Sequence, residues 1–306
     1  MRPSRLPARR AIPPSRRTSR SHAALTLAAY RRLLLGAAFL ASSIAAAAPA
    51  PPTGEQLSNV DLCNGRDRST PEPQIAGCTA LIKSDVKNDE VLAIAYNNRG
   101  NAYGKEGKYD LAIADYNEAI RVNPRYAKPL NNRGAVYRKM GDYERAMADF
   151  EAAIRLDPNY AEAFANRGEG LERKGDTAAA LKDFDEAIRL KPNSADIFNE
   201  RCWLRATTDA AQAALADCDE AVRLDPTLAA AFDSRGFADL KLGRWSAAIA
   251  DYNSAIRLNR TLASALYGRG YAKLKAGDKA GGDADIAAAK ASQQNIAEEF
   301  ARYGLR

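Results

Sequence analysis

The chain has 306 residues and a formal net charge of +7, but this positive charge is concentrated at one end. Residues 1–50 contain nine arginines and no lysine or acidic residue, which leaves 36 basic and 38 acidic residues, a net charge of −2, in the remainder. Nucleic-acid binding depends on a net basic surface, so this balance excludes it. The only histidine, His22, lies in the same segment. The rest of the chain therefore cannot build a Ser-His-Asp or Cys-His nucleophile or a histidine zinc site, and we expect no enzyme activity, cofactor, metal or small-molecule substrate.

Residues 1–48 are predicted to be a secretory signal peptide. A basic pair at 31–32 precedes the apolar, alanine-rich run 33–48, and the small residues Ala45 and Ala47 permit cleavage. The run is shorter than the roughly 20 residues of a membrane-spanning helix; an uncleaved anchor is the alternative. We expect an exported protein, periplasmic or secreted, that contacts a membrane only through its signal peptide.

All four cysteines follow the predicted signal peptide, at Cys63, Cys78, Cys202 and Cys218. An even number of cysteines in an exported protein indicates disulfides. The sequential pairing, 63 with 78 and 202 with 218, is favoured among three connectivities. Each bridge would close a loop of about 15 residues and stabilise the fold by roughly 3 kcal/mol through chain entropy. Four buried thiols are the alternative if the protein is not exported.

Two short segments separate the signal peptide from the main body of the chain. Residues 49–62 begin with several prolines and are predicted to be a flexible leader. Residues 63–92 are predicted to be an N-terminal capping helical segment, because Ile75, Cys78 and Leu81 fall on one helical face.

From residue 93 the chain repeats with a period of 34 residues, which is typical of a stacked-repeat architecture. Each unit has two helical halves, and in every unit but the fourth, which has Asp209, a glycine such as Gly107 permits the turn between them. In the first unit, Ala112, Tyr116 and Ala119 give the second half an apolar face. An Asn-Pro or Asp-Pro step then ends that half. Six units follow one another, at 93–126, 127–160, 161–194, 195–228, 229–262 and 263–296, and residues 297–306 are predicted to form a C-terminal cap.

These residues resemble the tetratricopeptide repeat family. The first unit carries the pattern most fully, with Tyr96, Gly100, Tyr103, Ala112, Tyr116, Ala119 and Pro124. The sequence departs from the family where arginine replaces the usual leucine before the first glycine. The resemblance implies an all-α, right-handed superhelical solenoid of six helix-turn-helix repeats, with an N-terminal capping half-repeat and a C-terminal capping helix.

An arginine and an aspartate recur together in every unit. The resemblance places the two positions on facing helices, which predicts a structural ladder of partly buried ion pairs. The alternative is that the arginines point into the groove and bind anions. The pairs are Arg99–Asp115, Arg133–Asp149, Arg167–Asp183, Arg201–Asp217, Arg235–Asp251 and Arg269–Asp285.

Polar amides recur on the face of the first helix that lines the concave groove in this family. A row of amides carries donors and acceptors and could hold the backbone of an extended peptide. The alternative is that they are polar cover on an exposed helix. The asparagines are Asn97, Asn98, Asn101, Asn131, Asn132, Asn166 and Asn199.

Aromatic residues replace the amides toward the C-terminal end of the groove. They suit the apolar anchors of a partner, with packing between repeats as the alternative. These candidate binding residues are Trp203, Phe237, Tyr267 and Tyr271. In the same region, the resemblance places Cys202 and Cys218 opposite each other, where other units have a glycine and an aromatic.

The function predicted from the sequence is a non-catalytic protein-interaction scaffold in the cell envelope, binding a protein or extended peptide in its groove. A structural component that self-associates through its ends or convex face is the alternative. A carboxylate-dependent hydrolase is disfavoured because the aspartates recur once per repeat, as a structural role predicts.

Overall fold

The computed structural model describes residues 54–66 and 70–305. The predicted signal peptide, His22 and the first residues of the predicted leader lie outside these ranges. The described residues form fifteen helices and no strand, and none of these helices is long and apolar enough to cross a membrane. The helices are α1 Gly54–Cys63, α2 Pro71–Lys83, α3 Asp89–Lys105, α4 Tyr109–Val122, α5 Ala127–Lys139, α6 Tyr143–Leu156, α7 Ala161–Arg173, α8 Thr177–Leu190, α9 Ala195–Thr207, α10 Ala211–Leu224, α11 Ala229–Lys241, α12 Trp245–Leu258, α13 Ala263–Lys275, α14 Lys279–Ser292 and α15 Ile296–Arg302.

The six predicted units correspond to the helix pairs from α3–α4 to α13–α14, which confirms the all-α repeat solenoid. The turns inside the pairs explain why they are hairpins. Gly141 has a φ of +82°, a left-handed conformation that glycine adopts without steric cost and that ends a helix. In the fourth pair Asp209 occupies this position with a φ of +61°, and its carboxylate accepts a hydrogen bond from Lys241 at 3.0 Å. The fourth pair therefore keeps the turn without the glycine.

The glycine of each Arg-Gly step lets the two helices of a pair approach closely. A Cβ atom on Gly134 would lie 2.7 Å from Cε1 of Phe150, a fully buried ring on the facing helix. The fourth pair has no such glycine. There a disulfide joins Cys202 to Cys218, with the Cα atoms 5.3 Å apart, and both residues are completely buried. A covalent bond thus takes the place of the glycine–aromatic contact.

The N-terminal end of the solenoid differs from its prediction. Residues 54–62, predicted as part of a flexible leader, belong to α1, which packs against α2 as a further helix pair. The Cys63–Cys78 disulfide joins the two helices, and Val60 and Ile82 pack beside it. The flexible leader was predicted from the prolines between residues 49 and 52. The disulfide and this small apolar cluster instead hold α1 against α2.

The helices form two layers, and the contacts between pairs define the inner one. The first helices of successive pairs, α3, α5, α7, α9, α11 and α13, contact one another in order. Successive second helices, α4 to α14, make no such contacts with each other in the described part of the chain. The first helices are therefore closer together and form the concave wall of the solenoid, where the family resemblance places the groove.

Candidate functional site

The structure brings the arginine and aspartate of every unit together. Each guanidinium donates two parallel hydrogen bonds, from Nε and Nη2, to the two carboxylate oxygens of its aspartate, at distances from 2.5 to 3.0 Å. The aspartate side chains are 4 to 11% exposed and the arginines 14 to 25%. The bonds that each guanidinium donates to its aspartate raise the pKa of Arg99, Arg133, Arg167 and Arg235.

In five of the six units, a third guanidinium nitrogen joins the unit to the helix pair before it. Nη1 of Arg133 donates to Asn117 at 2.5 Å, and Nη1 of Arg235 donates to Asp219 at 2.8 Å. Arg99, Arg201 and Arg269 make the same kind of bond to Thr79, Asp185 and Asn253. Because these donors are engaged within the chain, the geometry favours the structural interpretation of the arginines over anion binding.

The asparagines form a continuous ladder across the first three units. Nδ2 of Asn132 donates to Oδ1 of Asn97 at 2.9 Å, and Nδ2 of Asn166 donates to Oδ1 of Asn131 at 2.8 Å. Asn98 continues the series to Asn64 of the N-terminal helix pair at 3.3 Å. The amides therefore join successive repeats. This role differs from both interpretations of the sequence pattern, peptide binding and polar cover on an exposed helix.

This ladder divides the predicted binding asparagines into two groups. Asn97, Asn131 and Asn199 are only 3, 4 and 7% exposed, so the prediction that they contact a ligand in the groove does not fit their position. Asn97 and Asn131 lie between neighbouring first helices, where each accepts a hydrogen bond from the next repeat. Asn98, Asn132 and Asn166 are partly exposed, and Asn132 lines the cleft described next.

A cleft of about 370 Å³ opens on the concave wall between the first two units. Asn101 and Asn132 line it together with the apolar side chain of Val136 and the exposed side chains of Lys105 and Lys139. Its remaining lining residues are Gln74, Gly104, Tyr116 and Ala135. Tyr116 donates from its hydroxyl to Oδ1 of Asn101 at 2.8 Å and so fixes that amide at the cleft.

A cluster of charged side chains follows the amides in the middle of the groove. Arg138 pairs with Glu169 and donates to Asn166 at 3.4 Å, while burial lowers its pKa. Burial and the neighbouring Glu172 raise the pKa of Glu200 to about 7. The asparagine ladder ends here because Glu200 occupies the position that Asn98, Asn132 and Asn166 occupy in the earlier units.

The aromatic end of the groove is covered by the C-terminal segment of the chain. Phe300 of α15 lies 4.7 Å from Tyr267 and 5.6 Å from Phe237 between ring centroids. Tyr303 lies 5.4 Å from Trp203. Phe237 is consequently only 1% exposed, and it is not available to a partner in this conformation. Tyr271 is partly exposed, with Lys275 over its ring at 5.1 Å.

Sequence reasoning missed this covering. It predicted a cap at residues 297–306, and α15 does begin where a seventh first helix would begin. However, the side chains that follow reach two and three repeats back along the concave wall. The side chains of Phe300, Tyr303 and Leu305 were a signal that this segment packs against other residues, but nothing in a local pattern indicates which distant repeat they contact.

The comparisons with known proteins agree with this architecture. Sequence models described as tetratricopeptide repeat or TPR repeat match residues 93–126, 127–160, 161–194 and 236–277. No curated protein sequence matches the chain. In the described ranges, no group of three or more histidine, cysteine, aspartate or glutamate side chains is placed to hold a metal ion.

Several solved structures are similar in fold. A tetratricopeptide repeat protein from Parabacteroides merdae has a TM-score of 0.59 and 18% identity, over 81% of this chain and 99% of its own. PilW, a type IV pilus biogenesis factor, has a TM-score of 0.60 and 18% identity, over 65% and 93% of the two chains. The Cut9–Hcn1 hetero-tetramer of APC/C has a TM-score of 0.65 and 16% identity, over 82% of this chain and 52% of that one. At these identities the similarity shows the fold alone.

Helix hairpins stacked in one register, with their first helices lining a concave wall, define a helical-repeat protein of the interaction-scaffold class. Within that class, the repeat signature and the matched units make the chain a tetratricopeptide repeat protein.

Proposed function

We propose that this protein is an exported, non-catalytic scaffold that binds an extended polypeptide along the concave wall of its first three repeats. The observation that carries the proposal is the open cleft between the first two units. It combines amide groups, an apolar floor and two lysines on a concave surface.

The chemistry of the cleft suits a peptide backbone. Asn101 and Asn132 present amide groups that can pair with main-chain N–H and C=O groups whatever the peptide sequence. The ladder that holds Asn132 against Asn97 fixes the position of the amide before a ligand arrives. A group held in its binding orientation loses less conformational entropy on association, which favours affinity.

The charge of the cleft favours an acidic peptide. Lys105 and Lys139 extend from the C-terminal ends of α3 and α5, and both are exposed at the rim of the same cleft. Two ammonium groups on one side of a groove attract carboxylates and speed their association. We therefore expect the preferred ligand to carry an aspartate or glutamate beside an aliphatic side chain that rests on Val136.

Export of the protein is supported by two separate observations. The chain begins with a basic stretch and an apolar run of the kind found in signal peptides. Both cysteine pairs of the described residues are disulfide-bonded, and such bonds persist in oxidising compartments. We place the protein in the periplasm or outside the cell.

The proposal is tested with a peptide array of extended acidic and neutral sequences, probed with the full chain and with a Lys105→Gln/Lys139→Gln variant. We expect the acidic sequences to bind and the variant to lose at least tenfold in affinity, about 1.4 kcal/mol. Lys182→Gln, an exposed lysine on the second helix α8, is the matched control and should bind normally.

Two results would contradict the proposal. Equal binding by both lysine variants would place the ligand outside this cleft. Absence of peptide binding, together with a mass that rises with concentration in analytical ultracentrifugation, would favour the self-associating structural component instead.

A further inference from the structure

The C-terminal segment lies on the concave wall in the way that a bound ligand would. It makes aromatic contacts with three successive first helices, through Trp203 of α9, Phe237 of α11 and Tyr267 of α13. Lys241 of α11 donates a hydrogen bond from Nζ to the main-chain oxygen of Tyr303 at 2.8 Å. A contact between a groove lysine and a main-chain carbonyl is of the kind that a separate peptide could also make.

The segment is anchored by a small set of apolar side chains. Ile296, Phe300 and Leu305 are 1, 2 and 7% exposed, whereas Glu298 and Arg302 face the solvent. Removing these apolar side chains from water holds the segment on the groove through the hydrophobic effect. The segment is therefore an amphipathic helix whose apolar face fits the aromatic end of the groove.

The segment can separate from the groove without disrupting the repeats. α15 has seven residues, and a helix of that length is not stable alone in water. No disulfide of the described residues ties it to the repeats, because the two bridges lie between α1 and α2 and between α9 and α10. Each hairpin from α3–α4 to α13–α14 has its own Arg–Asp pair. Release of α15 would expose the rings of Trp203, Phe237 and Tyr267 as one aromatic patch.

We propose that this aromatic end of the groove is a second binding site, which takes a short amphipathic helix of a partner protein and is occupied in the free protein by α15 and residues 303–305. The partner helix would present an aliphatic residue, then an aromatic four positions later and another three positions after that. This is the spacing of Ile296, Phe300 and Tyr303. The proposal is independent of the cleft between the first two units, which lies at the other end of the solenoid.

A competition experiment tests this site. The probe is a fluorescent peptide with the sequence of residues 295–306, and the protein is the full chain with Phe300→Ala, which weakens its own segment. Changing this buried phenylalanine to alanine removes the largest apolar contact of the segment, so the variant's own segment should leave the groove more often. We expect the variant to bind the peptide at least tenfold more tightly than the wild type, by fluorescence anisotropy.

Two matched controls separate the site from non-specific binding. Glu298→Ala changes an exposed residue of the same helix, so this variant should bind the peptide as weakly as the wild type. A peptide in which the residue equivalent to Phe300 is alanine should not bind either protein. The Lys105→Gln/Lys139→Gln variant should leave peptide binding unchanged, which distinguishes failure of this proposal from failure of the first one.

Hydrogen exchange gives a second measurement that does not depend on a variant. In the wild type, the amides of 296–305 should exchange at least tenfold faster than those of α13 if the segment opens separately. Protection equal to that of α13 would overturn the proposal, as would a Phe300→Ala variant that keeps its helical content and binds the peptide no better than the wild type. A Phe300→Ala variant that dimerises by exchanging its C-terminal segments would also overturn it, because the occupant would then be a second copy.

Discussion

The two ends of the groove are built on one backbone framework but are lined by different chemistry. In the first unit, Asn101 faces the groove, and the corresponding position holds Trp203, Phe237 and Tyr271 in the last three units. Amide hydrogen bonds join the early repeats, whereas ring contacts join the late repeats to the C-terminal segment. The difference teaches that the repeat signature fixes the helix pairs and leaves the groove-facing positions free to specify what is bound.

The ion pairs belong to the shared framework, so they should matter equally at both ends. We expect Asp149→Ala in the second unit and Asp217→Ala in the fourth each to lower the free energy of unfolding by about 3 kcal/mol, because a partly buried guanidinium loses its carboxylate. Asp217 also accepts a bond from Arg205 at 2.6 Å, so its loss should cost at least as much. Denaturant unfolding followed by circular dichroism measures both.

Asp185→Ala is the control for this comparison. Asp185 pairs with Arg201 but is 56% exposed, and an exposed pair contributes about 1 kcal/mol or less. If either buried aspartate could be removed as cheaply as Asp185, the ion pairs would not be the common framework of the solenoid.

The amide ladder should stabilise only the N-terminal end. Asn132→Ala removes the donor that satisfies the buried Oδ1 of Asn97, and an unsatisfied buried acceptor costs about 2 kcal/mol. Asn193→Ala, at an exposed turn, should change stability little. If the Asn132→Ala variant were as stable as the Asn193→Ala variant, the ladder would contribute nothing to the stability of the fold. The amides would then be better explained as ligand contacts.

Acidity should affect the C-terminal end of the groove selectively. Burial raises the pKa of Asp233 to about 7, and the groups that face it are the hydroxyl of Ser264 on α13, which donates at 2.6 Å, Glu299 on α15 and Tyr252 on α12. The neutral carboxyl fits this site better than the carboxylate. The protonated Asp233 therefore contributes its full stabilisation of the folded state below the ordinary carboxyl pKa of about 4. This stabilisation is lost as the pH rises through about 7.

Hydrogen exchange at pH 5.5 and pH 8, corrected for the intrinsic exchange rate, measures this effect. We expect the amides of α15 to lose at least tenfold in protection at the higher pH, since one pKa unit corresponds to a tenfold change. Those of α5 should not change. Asp233→Asn should make the protection of α15 independent of pH; a dependence that persists in that variant would assign the effect to another group.

The sequence predicted the helix-pair fold well but the groove contacts only in part, because the fold follows from local patterns and the groove contacts join different repeats. Period, turn glycines and Arg–Asp spacing are local patterns, and each of them recurs in the helix pairs of the structure. The contact of Asn132 with Asn97 and that of Tyr303 with Trp203 depend on how successive repeats are rotated about the solenoid axis. No single repeat encodes that rotation, so the amide ladder and the covering of the aromatic end appear only in three dimensions.

The smallest predicted effect gives the most direct comparison of the two ends. Tyr116 and Tyr252 occupy the same position in the first and fifth units. The hydroxyl of Tyr116 donates to Asn101, whereas that of Tyr252 is buried with no hydrogen-bond partner among the described residues, because Phe237 stands where Asn101 would be. Tyr116→Phe should therefore lower the free energy of unfolding by about 1 kcal/mol, and Tyr252→Phe should raise it by about the same amount. The same substitution should thus change stability in opposite directions at the two ends. If both variants lost stability equally, the fifth unit would satisfy its hydroxyl in another way, and the chemical contrast between the two ends would be confined to their surfaces.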